Sequence, residues 1–269
     1  MDSSNDAHIR GGSMRRRRRR RGRGRRARVL GSNTLLLVGN LKVGKSAIFD
    51  YFSGRHRDFV KPGPGPFELP VTRIGTDRFD FLVDTPGIYS LQERSENARL
   101  IRNLLINRNL GGLLLVLDAK NLKRGMSLAL ELAEFEVPMV VALNMCDEAR
   151  QRGVEVDVKT LAKLLGVPVI PTVATENRGL NQLKRAIDQA GELNAGVEYP
   201  EWLQRVAEKI AAELEGHSLP TRGLAYLLAS SVIGVKDIPS TVDTSQKAAI
   251  ESRLSGLDSE MLSTSDILL

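Results

Sequence analysis

The stretch GNLKVGKS at residues 39–46 decides the fold of this chain. Its two glycines, followed by lysine and serine, have the spacing of a phosphate-binding loop. An apolar run at residues 34–38 precedes the stretch, and an amphipathic run at residues 45–52 follows it. In that context backbone N–H groups form an anion-binding nest, and the positive end of the helix faces the phosphates. The stretch therefore predicts a phosphate site between a strand and a helix.

Individual residues of this loop have distinct predicted roles. Lys45 is expected to reach the β- and γ-phosphates as a catalytic residue, and the Ser46 hydroxyl is expected to bind Mg²⁺. The residues predicted to contact the nucleotide along this loop are Asn40, Leu41, Lys42, Val43, Gly44, Lys45, Ser46 and Ala47.

A second motif, Asp84-Thr85-Pro86-Gly87, directly follows the apolar run at residues 79–83. A carboxylate at a strand end beside a phosphate loop can hold Mg²⁺, usually through water, and the N–H of Gly87 can meet a γ-phosphate. Asp-x-x-Gly by itself is only a turn. Downstream of a phosphate loop it predicts the switch II segment, with Asp84 as a metal ligand.

A third motif, Asn144-Met145-Cys146-Asp147, also follows an apolar run. The Asp147 carboxylate can accept both N1–H and the exocyclic amino group of guanine, a pair of donors that adenine lacks. Asn144 can bond the purine edge and brace the loop. Asn144, Met145 and Asp147 are therefore predicted to bind the base, which selects GTP or GDP.

The segment at residues 171–174 follows the last apolar run and is a fourth candidate. It can place the N–H of Ala174 near guanine O6, with Val173 beside it. Both residues are predicted to contact the nucleotide.

Apolar runs alternate with amphipathic stretches from Asn33 onward, which is typical of a parallel α/β sheet. We predict a P-loop GTPase fold with a doubly wound, mostly parallel, six-stranded sheet. A turn at residues 75–77 predicts a hairpin and thus one antiparallel edge strand. The predicted strands are 34–38, 67–73, 79–83, 113–117, 139–143 and 167–170, and the predicted helices are 45–52, 95–106, 125–134, 157–165 and 180–189.

The strand pattern does not return after about residue 191, where helical periodicity at 200–215, 223–233 and 245–254 predicts a small all-helical domain. The predicted units are an Arg-rich tail at 1–31, a GTP-binding domain at 32–192 and a helical domain at 193–269. The longest apolar runs are far shorter than the ~18 residues of a membrane span. With one cysteine, Cys146, the composition favours a cytosolic chain.

The basic charge is concentrated in the tail. Residues 1–31 contain twelve arginines and two aspartates, a net charge of +10, whereas the rest of the chain carries −3 of the total +7. Such a run repels itself and is predicted to be disordered. Anionic lipid and nucleic acid are both possible partners, and a solvated tail without a partner is the alternative. Charge alone does not choose among them.

With its four motifs in order, the chain resembles the N-terminal cytosolic region of ferrous-iron transport protein B (FeoB) over residues 33–190. The most similar stretches are 84–91, 116–122, 140–149 and 165–172. The resemblance implies a G domain and a helical spacer domain at the cytosolic face of the inner membrane, preceding a membrane domain that transports Fe²⁺. It makes that membrane domain the expected partner, C-terminal in a longer protein. A soluble relative is the alternative, and a homo-oligomer is possible.

Two departures from the family pattern concern hydrolysis. The resemblance implies an Asn, helping to hold an activating K⁺, where this chain has Lys42; the lysine could supply that charge as a second catalytic residue, or point into solvent. The switch I threonine position falls on Gly65. Ile88 follows Gly87 where many GTPases have a water-orienting Gln. The sequence therefore predicts slow GTP hydrolysis, and Val173 in place of the family's usual Ser predicts looser guanine binding.

Three functional hypotheses follow. The first is a slow GTPase that regulates ferrous iron transport, with the helical domain passing the nucleotide state to a membrane domain. The second is a module that binds GTP or GDP without hydrolysis, which the missing threonine favours. The third is a soluble GTPase that binds RNA through its Arg-rich tail, ranked last because no RNA-binding fold follows the G domain.

Overall fold

The computed structural model describes residues 30–54, 57–63, 66–108, 110–194, 199–217 and 219–255. The predicted Arg-rich tail, apart from its last two residues, and the predicted switch I position Gly65 lie outside these ranges.

One sheet of seven strands organises the described residues, in the order β2-β3-β4-β1-β5-β6-β7. β3 is antiparallel to both of its neighbours, and the other adjacent strands are parallel. The strands are β1 Thr34–Gly39, β2 Asp58–Val60, β3 Leu69–Arg73, β4 Phe81–Asp84, β5 Gly112–Asp118, β6 Met139–Asn144 and β7 Val169–Pro171.

The predicted doubly wound, mostly parallel sheet with an antiparallel edge region is confirmed, and the structure adds one strand to the six predicted. The added strand, β2, pairs only with β3 and has three residues. Asp58 and Phe59 are exposed. A short edge strand has one neighbour and little buried surface, so its sequence need not alternate between apolar and polar residues and cannot be recognised from such a pattern.

Successive side chains of a strand point to opposite faces of the sheet, so the apolar side chains form two cores, one on each face. In β1, Leu35 and Leu37 contribute to the core that α1 and α6 cover, whereas Leu36 and Val38 contribute to the core that α2 and α3 cover. All four leucine and valine side chains are almost completely buried. The sheet is therefore fixed from both sides, and the loops at its carboxyl edge are held in defined positions.

Eight of the nine α-helices in the described residues lie close to their predicted positions, with boundaries that differ by a few residues, and the short helix α4 was not predicted. They are α1 Lys45–Ser53, α2 Glu96–Ile106, α3 Leu122–Ala133, α4 Cys146–Gln151, α5 Val158–Leu165, α6 Leu180–Ala186, α7 Glu201–Glu213, α8 Thr221–Ala229 and α9 Thr244–Ser255.

Among the C-terminal helices, α7 packs on both α8 and α9, and α8 also contacts the residues that directly follow α3. Gly223 in α8 lies against the Phe135 ring, since a Cβ there would come within 2.8 Å of that ring. The buried Glu134 carboxylate accepts a hydrogen bond from the Tyr199 hydroxyl at 3.0 Å and forms an ion pair with Arg222 at 2.7 Å. A buried carboxylate needs such partners. Within the described part of the chain, no helix combines the length and apolar character needed to cross a membrane.

Candidate nucleotide-binding site

The loop between β1 and α1 is held by glycines that admit no side chain. At Gly39 a Cβ would lie 2.5 Å from the carbonyl oxygen of Val116. Gly44 has a φ of +93° and precedes the first turn of α1. Lys42 also has a positive φ, +60°, and its side chain is exposed. These conformations turn the loop around the N-terminus of α1, as phosphate binding requires.

Lys45 is buried in this loop, with 8% of its surface exposed. Its ammonium donates to the carbonyl oxygens of Gly39 at 3.1 Å and Asn40 at 2.8 Å. Burial lowers the pKa of Lys45, and the nearby Asp84 carboxylate opposes that shift. The ammonium is therefore positioned at the loop before any phosphate binds.

Asp84, at the end of β4, lies close to Lys45 and Ser46. Burial raises the pKa of Asp84 to about 6, whereas Lys45 and a hydrogen bond with Ser46 act in the opposite direction. The Oδ1 atom of Asp84 is buried and has no partner among the described residues, and the same is true of Oδ1 of Asn40. An unpaired carboxylate oxygen beside a serine hydroxyl fits Mg²⁺, which takes few protein ligands and completes its shell with water and phosphate.

The raised pKa of Asp84 predicts how stability depends on pH. Between about pH 4 and pH 6 the folded state holds a proton that the unfolded state has released, because the pKa rises from 3.8 to about 6 on folding. The free energy of unfolding of the ligand-free protein should therefore decrease as pH rises through this window. Denaturant unfolding at several pH values, without Mg²⁺, measures this contribution.

Asp84→Asn is the matched variant, since the amide keeps the shape and does not titrate. It should flatten the pH dependence between pH 4 and pH 6. An equally steep profile in the variant would show that another group causes it.

The rest of the second motif packs directly on the phosphate loop. Thr85 is buried, and its hydroxyl donates to the carbonyl oxygen of Leu37 at 2.8 Å. A Cβ on Gly87 would lie 2.9 Å from the backbone of Leu41 and 3.0 Å from Lys45 Nζ. Ile88 is buried, with 1% exposed. Gly87 thus lies beside the loop, as predicted, and the next side chain points into the core.

Asn144 connects three of the predicted motifs. Its Nδ2 donates to the carbonyl oxygen of Val43 at 2.9 Å. Its Oδ1 accepts from the Thr172 hydroxyl at 3.1 Å and from the Ala174 N–H at 3.0 Å. The side chain is buried. Asn144 therefore braces the loop as predicted, and in this structure the Ala174 N–H that was expected near guanine O6 donates to Asn144.

The remaining base-binding candidates lie next to Asn144. Met145 has a left-handed conformation, φ +62°, and leads into α4. Asp147 lies in the first turn of α4, half-buried, and makes no hydrogen bond or ion pair with another residue that the structure describes. Its carboxylate is therefore available to a base. Val173 is buried and its N–H bonds the Arg178 carbonyl at 3.0 Å.

Most predicted site residues thus meet at the carboxyl edge of the sheet, in the loops after β1, β4, β6 and β7. In a doubly wound sheet this is where ligands bind. Ala47 lies half-buried in the first turn of α1, and Leu41 is 45% exposed at the surface of the loop.

Sequence reasoning missed the residues that hold the segment after Gly87. Glu93 Oε1 accepts from the backbone N–H groups of Tyr89 at 2.7 Å and Ser90 at 3.2 Å. Glu131, in α3, accepts from the Ser90 hydroxyl and the Leu91 N–H, at 2.7 and 2.5 Å.

Arg102 and Tyr226 make further contacts with the segment that follows Gly87. Arg102, in α2, donates to the carbonyl oxygens of Leu91 and Glu93 at 2.5 and 2.8 Å. Gln92 bonds the Tyr226 hydroxyl in α8. No local sequence signal marks Glu131 or Tyr226, because their partners are 40 and 134 residues away.

The fold and these loops define a P-loop G domain of the GTPase type. The family model described as "Ferrous iron transport protein B" matches residues 33–187. The chain belongs to the ferrous iron transport protein B (FeoB) family.

Individual relatives agree with this assignment. The Fe(2+) transporter FeoB of Salmonella typhimurium is 36% identical over 185 residues, which is 66% of this chain and 24% of that protein. The Staphylococcus aureus transporter is 29% identical over 196 residues, 70% of this chain and 29% of that protein. The chain thus spans about a quarter of the length of these relatives.

Two solved structures extend the similarity to most of the chain. The mGMPPNP-bound NFeoB from S. thermophilus has a TM-score of 0.65 at 27% identity, covering 86% of this chain and 88% of that one. The GDP form of the cytosolic domain of T. maritima FeoB has a TM-score of 0.65 at 25% identity, covering 84% and 94%.

Proposed function

We propose that this chain binds GTP and GDP with Mg²⁺ and hydrolyses GTP slowly. The observation that carries the proposal is the position of Asn144, which ties the phosphate loop to the base-binding loop. Its bonds to Val43 and Ala174 fix the distance between the phosphate and base sites. The relatives bound to mGMPPNP and GDP support the same ligand class.

The direct test is affinity measured beside turnover. The protein should bind GDP and a GTP analogue in the presence of Mg²⁺, and ATP at least about a hundredfold more weakly. Phosphate release from GTP should exceed the uncatalysed rate but remain slow. Equal affinity for ATP and GTP would overturn guanine specificity.

Slow hydrolysis is proposed because two groups that assist the reaction have no counterpart at their usual positions. Ile88 is buried and apolar, so it cannot orient an attacking water. The switch I position is Gly65, outside the described residues, and Thr72 is no substitute because it lies buried within β3.

Lys42 is proposed to supply the charge that a potassium ion supplies elsewhere in the family. Its side chain is exposed at the phosphate loop, and its positive φ is one that Asn also tolerates. GTP hydrolysis should therefore be the same in KCl and in NaCl. Lys42→Asn should lower the rate in NaCl and gain an acceleration of about tenfold in KCl.

Steady-state hydrolysis in both salts checks this prediction, with GDP affinity measured to show that the loop of the variant is intact. A clear acceleration of the unsubstituted protein by KCl would contradict it.

A nucleotide-binding module without turnover is the second candidate, and the burial of Ile88 favours it. Tight GDP and GTP binding with no hydrolysis above background would select this function. An RNA-associated GTPase remains the third candidate and requires RNA binding that falls steeply with added salt.

For the whole protein we propose regulation of ferrous iron transport at the cytosolic face of the cell membrane. Both curated relatives are named Fe(2+) transporters. The proposed partner is a membrane domain, with residues 193–269 as a spacer domain that receives the nucleotide state from residues 32–192. The contact of Gln92 with Tyr226 supports this role, because it joins the segment after Gly87 to α8. The tail at residues 1–31 is proposed to bind anionic lipid or nucleic acid.

A further inference from the structure

Lys120 lies in a site that the predicted motifs do not include. Its ammonium is 3.0 Å from Glu148 Oε2, 3.4 Å from Asp118 Oδ1 and 2.8 Å from the sulfur of Met145. Only 12% of its side chain is exposed. The backbone N–H of Lys120 also donates to Asp118 Oδ1 at 2.9 Å. The side chain is thus fixed at both ends.

The sheet register explains why Lys120 reaches the base-binding loop. β5 and β6 are parallel, and Asp118 is paired with Asn144 at their carboxyl ends. The turn that follows Asp118 and the loop that follows Asn144 therefore start side by side. Lys120 crosses from the first to the second.

The contacts of Lys120 flank Asp147 on both sides along the chain. Met145 precedes Asp147 by two residues and must keep a left-handed conformation, which is unfavourable for a side chain of this type. Glu148 follows Asp147 directly. The Lys120 ammonium therefore contacts Met145 and Glu148, which lie on either side of Asp147 along the chain. Asp147 is the residue proposed to bind guanine.

Charge gives Lys120 a second effect. Asp118, Asp147 and Glu148 place three carboxylates around the same loop, and like charges at short range repel each other. The one ammonium that contacts two of them reduces that repulsion.

We propose that Lys120 is a positioning residue for guanine recognition, which holds Asp147 in place through Met145 and Glu148. The proposal rests on the proposed function, because it assumes that Asp147 binds the base. Lys120 acts on the two bonds that Asp147 makes to guanine, through N1–H and through the exocyclic amino group, and not on phosphate binding.

The test compares GDP with IDP, whose base lacks that amino group. Lys120→Met keeps the length and the apolar stem of the side chain and removes the charge. It should lower GDP affinity about tenfold and IDP affinity by less, because GDP loses both of its bonds to Asp147 and IDP loses only the N1–H bond. The ratio of GDP affinity to IDP affinity should therefore fall. Lys120→Arg should restore most of the ratio. Lys163→Met, on the exposed side of α5, is the matched control and should change neither affinity.

The outcomes separate this proposal from the proposed function. If the unsubstituted protein binds GDP no better than IDP, the proposed function is wrong in its assignment of Asp147 to guanine, independently of Lys120. If it does discriminate, an unchanged ratio in Lys120→Met overturns the role of Lys120. An equal loss of GDP and IDP affinity also overturns it, because that pattern indicates a general structural role.

Discussion

Replacing Gly44 with alanine is expected to weaken GDP binding by about a hundredfold or more. The added Cβ would lie 2.2 Å from Asn144 Nδ2, and the φ of +93° is one that alanine rarely adopts. Asn144 cannot move away easily, since it is buried and bonded to Val43, Thr172 and Ala174. The substitution therefore disturbs the phosphate loop and the base-binding loop together.

Isothermal titration with GDP and Mg²⁺ measures the effect, and a thermal unfolding curve reports whether the variant folds. Gly234→Ala is the matched control, because Gly234 has a φ of −103° and the nearest described atoms to a Cβ there would lie 3.8 Å away, an ordinary contact distance. Its affinity should be unchanged. If the GDP affinity of Gly44→Ala were within a few-fold of that of the unsubstituted protein, the close approach of Gly44 to Asn144 would not be needed for GDP binding.

Asp147→Asn should change the preferred base from guanine to xanthine. A carboxylate offers two acceptors to the N1–H and amino group of guanine, whereas an amide offers one acceptor and one donor. Xanthine has a carbonyl where guanine has the amino group, so the amide complements it. GDP affinity should fall about a hundredfold, because an unmatched donor at a polar site is costly, and XDP affinity should rise.

Competition of GDP, XDP and ADP against a fluorescent nucleotide measures this exchange. Asp147 has no partner within the described residues, so the substitution should leave thermal stability unchanged. Asp58→Asn, at the exposed edge strand, is the control for removal of one negative charge. Parallel loss of GDP and XDP binding would mean that Asp147 does not face the base.

The two expected effects differ in how far the sequence predicts them. The motif and its place after a strand predict that Asp147 binds the base, and its carboxylate has no hydrogen bond or ion pair with another described residue. The steric contact between Gly44 and Asn144 could not be predicted, because the two residues are far apart along the chain and meet only when β1 and β6 take their places in the sheet.

The same distinction holds within the fold. The buried strands and the longer helices were predicted because their hydrophobic periods follow from burial on one or two faces. β2 was missed because three residues at an exposed edge carry no period. Arg102 was missed because its partners are backbone carbonyl groups of a loop, which any sequence would provide. Glu131 was missed because its partners, the Ser90 hydroxyl and the Leu91 N–H, lie about 40 residues away along the chain.

The sequence by itself predicts the phosphate loop, the switch II segment and the guanine motif, because each depends on the spacing of a few residues with particular backbone and hydrogen-bonding properties. It also predicts the family, which is confirmed. The tertiary structure alone decided what fixes these loops relative to one another. Asn144 bonds a residue 101 positions away, and Lys120 contacts Met145 across 25 positions. Such contacts depend on strand order and register, which bring distant residues to one edge of the sheet, and no local pattern encodes them.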